Sequence, residues 1–152
     1  MQPRLDNLIE LIPGTTDAVK ILYKAAHSAD LPPTILELVH LRASQINGCS
    51  VCVDMGARGA KQRGETDDRL FTVAVWRETP YFTEPERAAL ALAEAATRLA
   101  DRGDAVSDEV WADAAKHFTD RQLAAIVLWI ATTNFFNRIN ATTRQLAPQN
   151  WG

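Results

Sequence analysis

Cys49 and Cys52 are the two cysteines in a chain of 152 residues, and they stand in the spacing C-x-x-C. A disulfide across so short a loop would constrain the unfolded chain little, so the pair reads as redox or metal chemistry before it reads as a staple. Gly48 interrupts the helical pattern ahead of Cys49, and the run Val51 to about Arg63 resumes it until Gly64. Both sulfurs are therefore expected in or beside a first helical turn, where unpaired N–H groups and the helix dipole favour an anion. A thiolate stabilised in this way is the species that attacks a peroxide or a disulfide.

Three readings of the pair compete. In the redox reading one thiolate attacks, becomes a sulfenic acid or mixed disulfide, and is resolved by its partner. In the zinc reading the two sulfurs are half of a tetrahedral site whose other ligands must come from His27, His40, His117 or a neighbouring subunit. In the third, both are small buried apolar residues. Glu37 and His40 precede the pair on one helical face. Glu37 has two readings, as the reciprocal partner of Thr34 in a capping box or as a buried general base for a cysteine proton. His40 is a hydrogen-bonded structural residue or a possible relay.

The elements that must position these residues are helical. Thr34-Ile-Leu-Glu37, Thr83-Glu-Pro-Glu86, Ser107-Asp-Glu109 and Thr119-Asp-Arg-Gln122 read as helix starts. The helices they open are expected to run to Asn47-Gly48, about Asp101, near His117 and Leu146, the last stopped by Pro148. Asp17 to about Ser28 and Thr66 to Trp76 complete the set, with a loop over 77–82 and no convincing strand. The prior is a single all-α helical bundle over 1–152. Leu123 to Ala131 is apolar around its circumference, which calls for burial by the fold or by a neighbouring subunit and favours an oligomer. Asn134, Phe135, Phe136, Asn137, Arg138 and Asn140 follow on that helix in a mixture suited to an interface or a pocket wall. Trp76, Trp129, Phe135 and Phe136 are assigned to the core rather than to an access channel, and Asp54 to an exposed first turn.

Hydrophobic residues make up 47% and charged residues 23% of the chain, which sets aside disordered and low-complexity classes. The net charge of −3 supplies no basic field for nucleic acid. The apolar run from Leu123 to Ala131 falls far short of the roughly 20 residues that cross a bilayer. Met1 to Asp6 lacks the pattern of a secretory leader, so the cytoplasm is the expected compartment.

The stretch Glu37 to Met55, with Q-I-N-G-C-S-V-C-V-D-M inside it, resembles the alkylhydroperoxidase AhpD-like proteins of the carboxymuconolactone decarboxylase superfamily. Trp76-Arg-Glu-Thr-Pro80 and Glu86-Arg-Ala-Ala-Leu90 carry the resemblance over most of the chain. It implies an all-α AhpD-like bundle that assembles into trimers or hexamers, and peroxidase chemistry on a redox-active C-x-x-C. In the family pattern E-x(11)-C-x-x-C-x-x-x-H, Glu37, Cys49 and Cys52 match. By position Cys52 would be the peroxide-attacking thiolate, Cys49 the more exposed resolving partner, and Glu37 the base.

The pattern's histidine is Gly56 here, and a histidine that some relatives carry between the cysteines is Val51. Three outcomes stay open: the proton path runs through water in the space at Gly56, His40 substitutes, or peroxidase activity is lost while the thiol pair remains. The same space could instead admit a bulkier substrate. The expected function is a thiol-dependent peroxidase acting on small organic hydroperoxides, recycled by a dithiol or a thioredoxin- or lipoyl-type reductant, with no metal or flavin of its own. The alternatives are a carboxymuconolactone decarboxylase-like enzyme and a non-catalytic redox-sensing oligomer.

Overall fold

The computed structural model describes residues 2–150, apart from the side chain of Asp101, and among these residues it is all-α. The helices are α1 (Leu8–Leu11), α2 (Thr15–Ala26), α3 (Pro33–Ile46), α4 (Ser50–Gln62), α5 (Asp67–Thr72), α6 (Glu84–Thr97), α7 (Asp108–His117) and α8 (Asp120–Thr143). Short 3-10 turns at Val73–Glu78 and Leu99–Asp101 follow α5 and α6.

The centre of the bundle is α3, which packs against α4, α6 and α8. Its Ile35, Leu36, Leu38, Val39, Leu41 and Ala43 are all buried, so nearly its whole circumference is inside. One apolar cluster joins α3 to α6 and α8 through Val39, Leu92, Ile126 and Trp129. A second joins it to the Val73–Glu78 turn and α6 through Leu38, Leu41, Trp76 and Leu90. Glu94 of α6 ties this second cluster together, accepting hydrogen bonds from Arg42 at 2.6 Å and from the Trp76 indole at 3.1 Å.

The helix starts at Thr83 and Thr119 are capping boxes, with Glu86 and Gln122 returning bonds of 2.8 and 2.9 Å to the cap N–H groups. Ser107 caps α7. The box proposed for Thr34 and Glu37 is absent. Helix α3 begins two residues earlier than that box requires, at Pro33, whose fixed φ is already helical, and Glu37 turns to Arg63 instead. The segment expected to run from Thr66 to Trp76 tightens into a 3-10 turn at Val73, and α6 ends at Thr97 before its own 3-10 turn.

Helix α8 stops at Thr143 rather than Leu146. Arg144 adopts a left-handed conformation (φ 56°), and Gln145 N–H bonds back to Asn140 C=O at 2.9 Å, a Schellman ending that needs no proline. Nor is Leu123 to Ala131 buried on all sides within one chain: Ala124, Val127 and Ala131 are exposed, as is Phe135 a turn later.

Between α3 and α4 the chain reverses at Gly48, with φ +66°, a left-handed conformation that glycine adopts without a Cβ penalty. The preceding Asn47 amide donates 2.9 Å bonds to both Asn134 Oδ1 and Asn137 Oδ1 of α8. Asn137 in turn donates to Ser44 Oγ at 3.1 Å. The cysteine turn is thus pinned to α8 by a polar network under it. Replacing Asn47 by alanine orphans two carbonyl oxygens and is expected to cost about 1–3 kcal/mol, read as a lower denaturant midpoint.

Candidate active site

Cys49 is the residue preceding α4 and Cys52 lies in its first turn, and the two are joined as a disulfide with a Cα–Cα distance of 5.3 Å. Exposure is 2% for Cys49 and 1% for Cys52, so both are buried and accessibility hardly separates the two. Packing of the α3–α4 turn against α8 covers both. Cys52 lines a cavity of about 770 Å³; Cys49 is not among its walls.

Glu37 and His40 line the same cavity. Three of the four residues singled out in the sequence therefore converge on one space, with Cys49 bonded directly behind it. Asn140 of α8 donates to Cys52 Sγ at 3.3 Å, a contact that would favour a thiolate once the disulfide is reduced. Aromatic rings form the opposite wall: Tyr23 stacks on His27 with centroids 3.9 Å apart, and His27 meets Trp129 edge to face at 4.7 Å. Trp129 and Phe136, assigned to the core from the sequence, line the cavity. Their spacing on α8 is the same for a core or a pocket wall, so periodicity could not separate the two. The polar-aromatic mixture around Asn140 was the available signal.

The position of His40 answers the question raised by Gly56. A Cβ built on Gly56 would stand 2.9 Å from His40 Cδ2 and 3.3 Å from Nε2. The imidazole thus fills the volume that a side chain at 56 would need, and the bulkier-substrate reading of that space falls. The ring is held at both nitrogens, with Nε2 3.3 Å from the Cys52 carbonyl and Nδ1 3.3 Å from Thr133 Oγ1. Because the carbonyl can only accept, these contacts assign the proton to Nε2, leaving Nδ1 to accept from Thr133. Burial lowers the His40 pKa below 6.5, and the bond to the Cys52 carbonyl only partly opposes it, so the ring is neutral at neutral pH.

A stability effect follows. Below pH 6.5 the unfolded chain takes up a proton at this histidine more readily than the folded chain does, so folding weakens as pH falls and is insensitive to this group above. Denaturant midpoints between pH 5 and 8 should show the acid-side loss in the native protein and a smaller one in His40→Gln.

Glu37 is ion-paired with Arg63, which follows α4, and both line the cavity. The Glu37 side chain is 15% exposed and that of Arg63 56%, which sets the pair at the cavity mouth. Asp54 is half-buried and paired with Arg58 at 3.0 Å, one turn along α4. Among the described residues no group of three or more His, Cys, Asp or Glu side chains is placed to hold a metal ion.

The sequence pattern of the carboxymuconolactone decarboxylase family matches residues 13–95, which contain the cysteine pair, Glu37, His40 and Arg63. The uncharacterized protein YdfG of Bacillus subtilis is 31% identical over 131 residues, covering 86% of this chain and 88% of YdfG. A crystal structure of an Agrobacterium tumefaciens protein of unknown function, provisionally named as the antioxidant defence protein AhpD, superposes with a TM-score of 0.90 at 32% identity. That match covers 98% of this chain and 100% of the other. The debrominase Bmp8 shares the fold, with a TM-score of 0.80 at 21% identity over 90% of this chain and 73% of its own. On its sequence and its all-α AhpD-like fold, the chain belongs to the carboxymuconolactone decarboxylase family.

Proposed function

We propose that the protein is a thiol-dependent peroxidase that reduces small organic hydroperoxides with the Cys49–Cys52 pair and is recycled by a dithiol reductant of thioredoxin or lipoyl type. The observation that carries this reading is the bonded cysteine pair with Cys52 lining a mainly apolar cavity beside His40. In the reduced protein Cys52 Sγ attacks the terminal oxygen of ROOH as a thiolate. An S–O bond forms, the O–O bond breaks, and RO⁻ takes a proton and leaves as ROH. Cys52 is now a sulfenic acid, oxidised by two electrons. The Cys49 sulfur attacks it, the S–O bond breaks, and the hydroxide leaves as water with the Cys49 proton. The external dithiol then exchanges with the disulfide, restoring both thiols and becoming a disulfide itself.

His40 serves in the place of the histidine that the family pattern puts at position 56. Neutral through burial and adjacent to Cys52, it accepts the cysteine proton at Nδ1, its unprotonated nitrogen, by way of the Thr133 hydroxyl that donates there, with Glu37 one turn away on α3 at the outer end of the path. The working form is a cytoplasmic homo-oligomer, a trimer or hexamer. The exposed Ala124, Val127, Ala131 and Phe135 of α8 are the apolar face that a second copy covers.

The test is consumption of cumene hydroperoxide by fully reduced protein with excess dithiothreitol. Many equivalents consumed per chain are expected. One equivalent with a stable disulfide would make the protein a redox sensor, and unreacted thiols would remove peroxide as the substrate. Replacing His40 by glutamine, which keeps a donor for the Cys52 carbonyl but cannot take a proton, should slow turnover about 10²–10⁴-fold. It should also remove an acid limb that lies below pH 6.5 in the native rate profile.

A further inference from the structure

The cavity walls are mainly apolar, with a few polar side chains among them. Arg63 is the one Lys or Arg among the residues that line it, and the features around Arg63 have the form of an anion site. Its guanidinium lies against Gly59 of α4, where an added Cβ would stand 3.1 Å from Nη2. The bare backbone at Gly59 gives the guanidinium its place beside the helix. Nε of Arg63 donates to Glu37, while neither terminal nitrogen has a hydrogen-bond partner among the described residues. A guanidinium carries five N–H donors in a planar fork, and its outer edge suits a carboxylate bound through two of them.

We propose that Arg63 is the anion anchor of this cavity and that the molecule it receives is an apolar acid, carboxylate at Arg63 and chain along the Trp129–Phe136 wall. The naming of that acid as a hydroperoxide rests on the peroxidase reading above; the anion site does not. Gly59, where the guanidinium lies, is seven residues beyond Cys52 on α4, or about 10 Å along the helix axis. A substrate seated this way carries its peroxide roughly 10 Å from its carboxylate, which selects medium- and long-chain acids over short alkyl hydroperoxides.

Binding is read by isothermal titration calorimetry on the disulfide form with decanoate, and with decanamide as its neutral isostere, so no thiol chemistry enters. Decanoate is expected to bind and decanamide to bind roughly 10- to 150-fold more weakly, the range for a hydrogen bond to a charged group. Arg63→Gln should lower decanoate affinity by a similar factor and leave decanamide unchanged. That variant also unpairs Glu37, which would repel an anion, so the double variant Glu37→Gln, Arg63→Gln is measured beside it. Affinity still lost in the double variant assigns the effect to the guanidinium; affinity restored there overturns the anchor. Equal binding of acid and amide, or no binding of decanoate, overturns it as well. Turnover of neutral cumene hydroperoxide tests the peroxidase reading separately, so either can fail alone.

Discussion

Replacing Cys52 by serine is expected to reduce hydroperoxide consumption to the uncatalysed background, while replacing Cys49 by serine should leave one fast equivalent per chain and then stop. The asymmetry follows from access. Both sulfurs are almost wholly buried, but only Cys52 lines the cavity through which a hydroperoxide can approach. It also holds the Asn140 amide at 3.3 Å, a donor that favours the anionic sulfur. A serine hydroxyl in its place stays protonated and weakly nucleophilic. In Cys49→Ser the attacking thiolate survives, but its sulfenic acid has no thiol behind it to close the disulfide, so the first turnover is also the last until an external thiol reaches in. The check is a stopped-flow count of peroxide consumed per chain, with mass spectrometry for the added oxygen on Cys52. Sustained turnover in Cys52→Ser would reverse the two roles and put the attacking sulfur on the side away from the cavity.

Introducing the family's histidine, Gly56→His, is expected to damage the protein rather than improve it. The Cβ alone would approach His40 Cδ2 to 2.9 Å, and His40 is only 8% exposed, held at both ring nitrogens. Overpacking of this kind costs about 1–3 kcal/mol, partly offset because histidine is the better helix former by several tenths of a kcal/mol. The displaced His40 ring also loses its station beside Cys52, so turnover should fall. Removing the obstacle first reverses the sign. The double variant His40→Ala, Gly56→His should be more stable than Gly56→His alone and should regain turnover relative to His40→Ala, because a single imidazole then occupies the shared volume from the other helix. Such coupling between contacting residues is what a double-mutant cycle isolates. Additive effects in stability and in rate would show that the two positions do not share this space.

Much of this was legible in the chain itself. The helix starts at Thr83, Ser107 and Thr119 are local chemistry, in which a hydroxyl and a residue three positions on satisfy free N–H groups, and the structure has them where the pattern puts them. The C-x-x-C at the start of a helix after Gly48 is equally local, as is the family resemblance that its flanking residues carry. Where the local pattern failed, a distant partner or a backbone choice had decided. Thr34 lost its cap because Glu37 found Arg63 across a helix pair, and α8 ended early because Arg144 took a left-handed conformation for which no glycine gives warning.

The site depends on such distant contacts throughout. Spacing puts Glu37 and His40 on one face of α3 but cannot say what that face meets. Only the packing of α3 against α4 brings the His40 ring over Gly56, and only the packing of α8 brings Asn140, Trp129 and Phe136 to Cys52. A glycine at 56, where the resembled pattern has histidine, and a histidine sixteen residues away at 40 are separate facts in the sequence. They become one fact when two helices share a volume that has room for a single imidazole, because interiors are close-packed and the steric exclusion acts between residues that the chain does not place side by side.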